Sequence, residues 1–347
     1  MNKEKPLISV IIPTYNRLTH LKQSVESVIC QEYKNIQLII VNDGGESPES
    51  LLSKYQDRDI KLNYINLIKN NGVSAARNAG LKIAEGEWIA LLDDDDYYKK
   101  NHISSLVELS KSSNSKFFYS LSEYSIGKEN FAINATNPFA DIEYNRDLLL
   151  ISNYIPTPTW FFRKELVSQT GYFDTALKAW EDWEWLLRAS QYTKFECTKK
   201  DTVVVNQRPD DASHLGLQHR PEMIDWFLKV YYRHPAPNEA IEKCRVDFID
   251  NLKSKNIKSI SNESNDVFEI IETASKKAGI EAIEIYTNWL DKPDRNIKYD
   301  CYIYYNLGCL YLSINDINEA KKFFSISSMI NPKFTNSQNA LNSLISF

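Results

Sequence analysis

The chain has 347 residues, with 41 Lys and Arg against 46 Asp and Glu and a formal net charge of −5 at pH 7. Apolar residues make up 43% and charged residues 25%, which excludes wholesale disorder and supplies a sizeable core for more than one domain. The basic residues are scattered as pairs such as Lys99-Lys100 and Lys276-Lys277, without the stripe that tracks phosphates, so no nucleic-acid partner is expected.

In chain order, Leu7–Ile12 reads as a buried strand stopped by Pro13, and Leu18–Cys30 has apolar residues at helical spacing. A second strand, Ile36–Val41, ends in the turn-rich Asn42-Asp43-Gly44-Gly45; Lys61–Leu67 is a third. Gly72–Ala84 reads as a helix, and Trp88–Leu92 as a fourth strand that runs straight into Asp93-Asp94-Asp95-Asp96. Short apolar strands alternating with helices predict an α/β fold with a mainly parallel sheet covered on both faces. Such sheets bind ligands at the carboxyl ends of their strands. Those ends carry Pro13-Thr14-Tyr15-Asn16, Asn42-Asp43 and the four aspartates.

Further strands are expected at Lys116–Leu121, Thr159–Arg163 and Thr202–Val205, with helices at Asp182–Ser190 and Arg220–Tyr232. The prolines of His234-Pro235-Ala236-Pro237 break helices and suggest a domain boundary. The expected division is a catalytic domain over 1–235, a linker over 236–262 and a small all-α domain over 263–347. Within the last, residues 301–334 place Tyr304, Leu307, Gly308, Tyr311, Ala320, Phe324, Ser327 and Pro332 on the marked positions of the roughly 34-residue tetratricopeptide pattern. One or two such repeats form a cap or docking module, for a protein partner or for self-association.

Cys30, Cys197, Cys244, Cys301 and Cys309 show no CxxC spacing, which predicts reduced thiols in a cytoplasmic protein. No apolar run approaches the roughly 20 residues of a membrane span, and the start MNKEKPLISVIIP lacks the features of a signal peptide. The expectation is a soluble cytoplasmic protein without a transmembrane segment, free or peripheral to the inner face of the membrane.

The chemistry centres on two acidic clusters. Asp93 and Asp95 are two apart at a strand end, where extended backbone would point both to one side, ready to chelate a hard divalent cation against phosphate oxygens. The second cluster is Trp180-Glu181-Asp182-Trp183-Glu184. GxSxG, Walker and HExxH signatures are absent.

Six segments in order, ISVIIPTYNR, IIVNDGG, NNGVSAARNAGL, GEWIALLDDDDYY, FFRKELVSQTGYFDTAL and WEDWEWLLR, resemble a family 2 glycosyltransferase with the GT-A fold. The resemblance spans residue 7 to about residue 215, about 60% of the chain. It implies a Rossmann-like nucleotide-diphospho-sugar transferase domain and a UDP-sugar donor. Pro13, Thr14, Tyr15 and Asp43 would hold the nucleotide base, with Arg77 near the nucleotide. Asp93 would meet the ribose side, Asp94 would support the donor site, and Asp95 would ligate Mn²⁺ or Mg²⁺. His214, in DDASHLG, would complete the metal site, and the Arg208–Leu215 loop would close over the diphosphate. Asp182 would be the general base of an inverting displacement, with Trp180 and Glu181 on the acceptor side. The implied acceptor is a glycan, lipid-linked or protein hydroxyl in bacterial surface polysaccharide, lipo-oligosaccharide or glycoprotein synthesis. Two rival readings are a sugar-phosphate nucleotidyltransferase and a non-catalytic nucleotide-sugar-binding scaffold that uses its helical repeat for partners.

Overall fold

The computed structural model describes residues 5–56, 58, 60–126, 133–136, 143–207, 222–258, 270, 271, 273, 274, 276, 277, 279–291, 300–330 and 335–345. The chain divides into two compact units: Met1–Ser125 with Ile142–Asn206 and Arg220–Asp250, and Ile126–Asp141 with Gln207–His219 and Asn251–Phe347.

The strands are β1 (Ile8–Thr14), β2 (Ile36–Asn42), β3 (Lys61–Asn66), β4 (Trp88–Leu91), β5 (Tyr97–Tyr98), β6 (Phe117–Ile126), β7 (Ile133–Thr136), β8 (Trp160–Arg163) and β9 (Phe195–Gln207). The helices of the first unit are α1 (Leu18–Ile29), α2 (Glu49–Leu52), α3 (Val73–Ile83), α4 (His102–Ser110), α5 (Arg146–Leu149), α6 (Leu166–Thr170), α7 (Glu181–Ala189), α8 (Glu222–Arg233) and most of α9 (Glu239–Lys258). Every residue of β1, β2 and β4 is buried, as expected where helices cover both faces of a parallel sheet. The main strand order is β3-β2-β1-β4-β8-β6-β9-β5. It is parallel from β3 to β4 and antiparallel at β4–β8, β8–β6 and β9–β5, so the sheet is mixed.

Register brings the strand ends together. Thr14 pairs with Asn42 and Ile11 with Leu91, so Thr14-Tyr15, Asp43 and the aspartate run emerge along one edge. The first strand continues through Pro13, contrary to the expected stop. Ile11 O accepts from Leu92 N, which turns the odd-numbered residues toward β4; the N–H that Pro13 lacks therefore faces the side where that ladder has already ended at Leu91. A second departure follows immediately: Asp96 N donates to Asp93 O at 3.2 Å, so the aspartates form a turn and Asp93 and Asp95 do not share one face of an extended strand.

The second unit contains α10 (Ile280–Leu290), α11 (Asp300–Ser313), α12 (Ile317–Ile330) and α13 (Thr335–Ile345). Its core gathers Ile271, Ala274, Ala282, Tyr286, Trp289, Ile303 and Leu307. Three residues link α11 to α12; Asn315 takes a left-handed φ of 64°, and Asp316 Oδ1 accepts from Glu319 N at the start of α12. Gly308 lets the two helices approach, since a Cβ there would fall 2.5 Å from Phe324 Cε1.

Candidate active site

The second strand's loop is held by side chains that the sequence placed at strand ends. Asn42 Nδ2 donates to the carbonyls of Gly45 and Glu46 and to Asn66 Oδ1, while its Oδ1 accepts from Gly45 N. Gly44 has a φ of 75°, and a Cβ on it would lie 2.4 Å from the Lys69 carbonyl carbon. Asp43 is buried and accepts from Asn71 N at 2.9 Å and Gly72 N at 2.7 Å, one bond per carboxylate oxygen. It therefore shapes the loop that opens α3, and each oxygen retains a second lone pair for a ligand. Beside it, the Tyr15 ring is 44% exposed and open to stacking.

The aspartates part company within their turn. Asp94, 5% exposed, accepts from Thr14 Oγ1 at 2.7 Å and Arg17 Nη1 at 3.2 Å. The same Arg17 nitrogen reaches Asp95 Oδ2 at 3.1 Å. Burial pushes the Asp94 carboxyl up to about 6, against the pull of Thr14 and Arg17. Asp96 accepts from Asn206 N at 2.8 Å, and its carbonyl accepts from Ser24 Oγ. Asp93 is the most exposed of the three whose ion pairs are seen, with 30% side-chain exposure, and takes Arg77 Nη2 at 2.7 Å.

Arg77 also donates from Nη1 to Glu181 Oε1 at 2.9 Å, joining the two acidic clusters through one guanidinium. Burial alone would lower its affinity for a proton, but Asp93, Glu181 and Asp182 together hold it above the ordinary arginine value. Burial and the neighbouring Asp182 push Glu181 up to about 7, with Arg77 opposing. Burial also raises Asp182, and Arg77 is the foremost opposing influence. Asp182 sits in the first turn of α7, accepting from its neighbour Trp183 N at 2.7 Å and, on Oδ2, from Asn153 Nδ2 and Thr157 Oγ1 at 3.1 Å each. Trp180 precedes the helix with a left-handed φ of 63° and packs on Trp183 and, at 4.4 Å, on Phe227.

The structure thus brings Thr14, Asp94 and Asp95 together, and separately Asp93, Arg77, Glu181 and Asp182. His214, Ser213 and Arg208 lie outside the described residues. Arg17, Asn153 and Thr157 were missed by sequence reasoning. Arg17 stands in the quoted ISVIIPTYNR but reaches the aspartates only through the fold; Asn153 and Thr157 lie where the sequence shows no periodic pattern.

Among the described residues no group of three or more His, Cys, Asp or Glu side chains converges as a complete metal cage. A hard cation that keeps waters and binds through one or two carboxylates plus substrate phosphates would have to compete with Arg17, which pairs with Asp95 Oδ2 at 3.1 Å. No helix among the described residues is long and apolar enough to cross a membrane.

The curled mixed sheet, with acids at its strand ends, is a GT-A-like α/β fold. The pattern of glycosyl transferase family 2 matches residues 9–171. The uncharacterized glycosyltransferase YwdF of Bacillus subtilis (strain 168) is 35% identical over 195 residues, covering 53% of this chain and 68% of that protein. WcaA of Escherichia coli (strain K12), a protein named for colanic acid biosynthesis, is 32% identical over 192 residues, covering 54% of this chain and 67% of its own. Among solved structures, residues 1–349 of S. aureus TarS in complex with UDP-GlcNAc match with a TM-score of 0.57 at 17% identity, covering 93% of this chain and 91% of that one. The chain belongs to the family 2 glycosyltransferases.

Proposed function

We propose that the protein is an inverting, metal-dependent transferase that moves a sugar from a UDP-sugar to a hydroxyl of a glycan, lipid-linked or protein acceptor in bacterial surface glycan synthesis. The observation that carries this reading is the convergence of Asp93, Arg77, Glu181 and Asp182, which sets the strand-end acids beside a half-buried carboxylate on α7. The UDP-GlcNAc complex of TarS and the naming of WcaA support the donor and acceptor classes.

Tyr15 stacks on the base and Asp43 accepts from it, with Pro13 and Thr14 forming the floor. Asp93 meets the ribose side, Asp95 and His214 are the residues that would hold Mn²⁺ or Mg²⁺, and Asp94 anchors the turn. Such a cation, when bound, would supply Lewis-acid neutralisation of the charge on the departing diphosphate. Asp182 takes the acceptor's proton as the hydroxyl oxygen attacks the anomeric carbon from the face opposite the nucleotide. Its three hydrogen-bond donors favour the ionised carboxylate and fix its direction. Trp180 and Glu181 line the acceptor side. The second unit serves as a tetratricopeptide-like module for a partner or a second copy, a reading supported by the α11–α12 pair and the contact of Gly308 with Phe324.

The test is a panel of UDP-sugars with Mn²⁺, followed by released nucleotide. Release of UDP, with the sugar transferred to an added acceptor, is expected. Release of pyrophosphate from a UTP and sugar-phosphate mixture instead identifies a nucleotidyltransferase, and failure to bind UDP leaves a scaffold.

A further inference from the structure

We propose, resting on that reading, that Arg77 is a positioning residue that links the donor side of the cleft to the acceptor-activating carboxylate, acting through Asp93 and Glu181 and not on the nucleotide. The resemblance to family 2 enzymes places this arginine near the nucleotide, but its geometry here is that of an internal brace. It is 4% exposed; one terminal nitrogen is committed to Asp93 at 2.7 Å and the other to Glu181 at 2.9 Å. Its Nε is buried without a partner, and Phe173 lies 5.7 Å from the guanidinium carbon.

Arg77 and its Glu181 anchor are both on rigidly placed helices. Gly80, one turn along α3, has its Cα against Ile11: a Cβ there would fall 2.5 Å from Ile11 Cγ2, so the helix lies tight on β1. On the other side, Glu181 and Asp182 occupy the first turn of α7, whose entry is fixed by the left-handed Trp180. The charged groups that face Asp182 are Arg77, Asp93 and Glu181. Two carboxylates held by one planar fork keep a fixed separation, which a lysine's single ammonium cannot reproduce. That fixed separation holds Asp93, on the donor side, in register with the start of α7, beside the proposed base.

The test compares Arg77→Lys and Arg77→Gln with the wild-type full chain, using UDP for affinity and the best UDP-sugar for kinetics. In both variants kcat is expected to fall about 100-fold, the scale of misplaced acid–base catalysis. KM for the donor and the affinity for UDP are expected to weaken only a few-fold, through the loosened Asp93. A tenfold loss of UDP affinity overturns the proposal by making Arg77 a nucleotide contact, and an unchanged kcat overturns it as well. If neither variant unfolds cooperatively, Glu181→Gln replaces them: it keeps a carbonyl for Arg77 but removes the charge, and a wild-type kcat there is the refuting result. A wild-type enzyme that releases no UDP defeats the transferase reading itself. The brace is then read from tryptophan fluorescence: the part of the UDP response that Trp180→Phe removes must be present in the wild type and absent in Arg77→Gln, and an equal response in both refutes it.

Discussion

Thr14, at the tip of β1, donates its hydroxyl to Asp94 at 2.7 Å, tying the first strand end to the aspartate turn that follows β4. Sequence reasoning gave Asp94 only a supporting place beside Asp93 and Asp95. In the fold it is the anchor of the turn, buried like Asp95 and Asp96, while Asp93 is the more exposed neighbour.

That burial makes a pH prediction. Asp94 titrates near 3.8 when unfolded and is pushed up to about 6 when folded, chiefly by burial. The folded state holds the extra proton, so the stabilisation this group gives is present below about pH 4 and is lost as pH rises through about 6. Asp94→Asn removes that term. Urea unfolding at steps from pH 4 to 7 should show the wild type losing stability relative to Asp94→Asn across this window. A constant difference would refute the shift.

Arg17 leads to a second prediction. Its guanidinium bridges Asp94 and Asp95, where like charges would otherwise face one another. Arg17→Met should therefore lower stability by about 1–3 kcal/mol in a metal-free buffer. Adding Mn²⁺ should restore part of the loss, since a second cation can replace the first. Thermal melts with and without Mn²⁺ decide it. Asp95→Ala should weaken the Mn²⁺-dependent component of UDP affinity about tenfold or more; metal dependence equal to wild type would move the metal elsewhere.

The third concerns the base. Asp182→Asn keeps the size of the side chain and leaves the donor side untouched. UDP affinity should stay within about twofold while sugar transfer falls by about 100-fold or more, the usual scale of a lost general base. Rapid residual transfer would remove Asp182 from that role.

The parallel half of the sheet was legible because buried parallel strands are continuous apolar runs: Ile36–Val41 and Trp88–Leu92 fall within one residue of β2 and β4. The antiparallel half was less so. β9 spans Phe195–Gln207, but only Thr202–Val205 was read as strand, because Lys199-Lys200-Asp201 interrupts the pattern and Lys199 takes a left-handed φ of 54°. The site was legible as acidic residues at strand ends, not as contacts. Arg17 and Arg77 reach their carboxylates over long sequence separations, and no local spacing encodes those pairs. The turn at Asp93–Asp96 likewise depends on a backbone bond that strand periodicity cannot foresee.

The last prediction tests the helical unit. Gly308 lies within α11, where alanine would ordinarily be favoured by about 1 kcal/mol on helix propensity. Here an added Cβ meets Phe324 Cε1 at 2.5 Å and Cδ1 at 2.6 Å, and the Phe324 ring is itself buried. A packed ring cannot swing aside without opening the α11–α12 contact, so Gly308→Ala should destabilise the unit by about 1–3 kcal/mol despite its better propensity. Phe324→Leu should also destabilise, through lost volume, but the double variant should be less unstable than the sum because the clash has gone. Denaturant unfolding of the two single variants and the double measures that coupling. Strict additivity would show that the two residues do not press on each other.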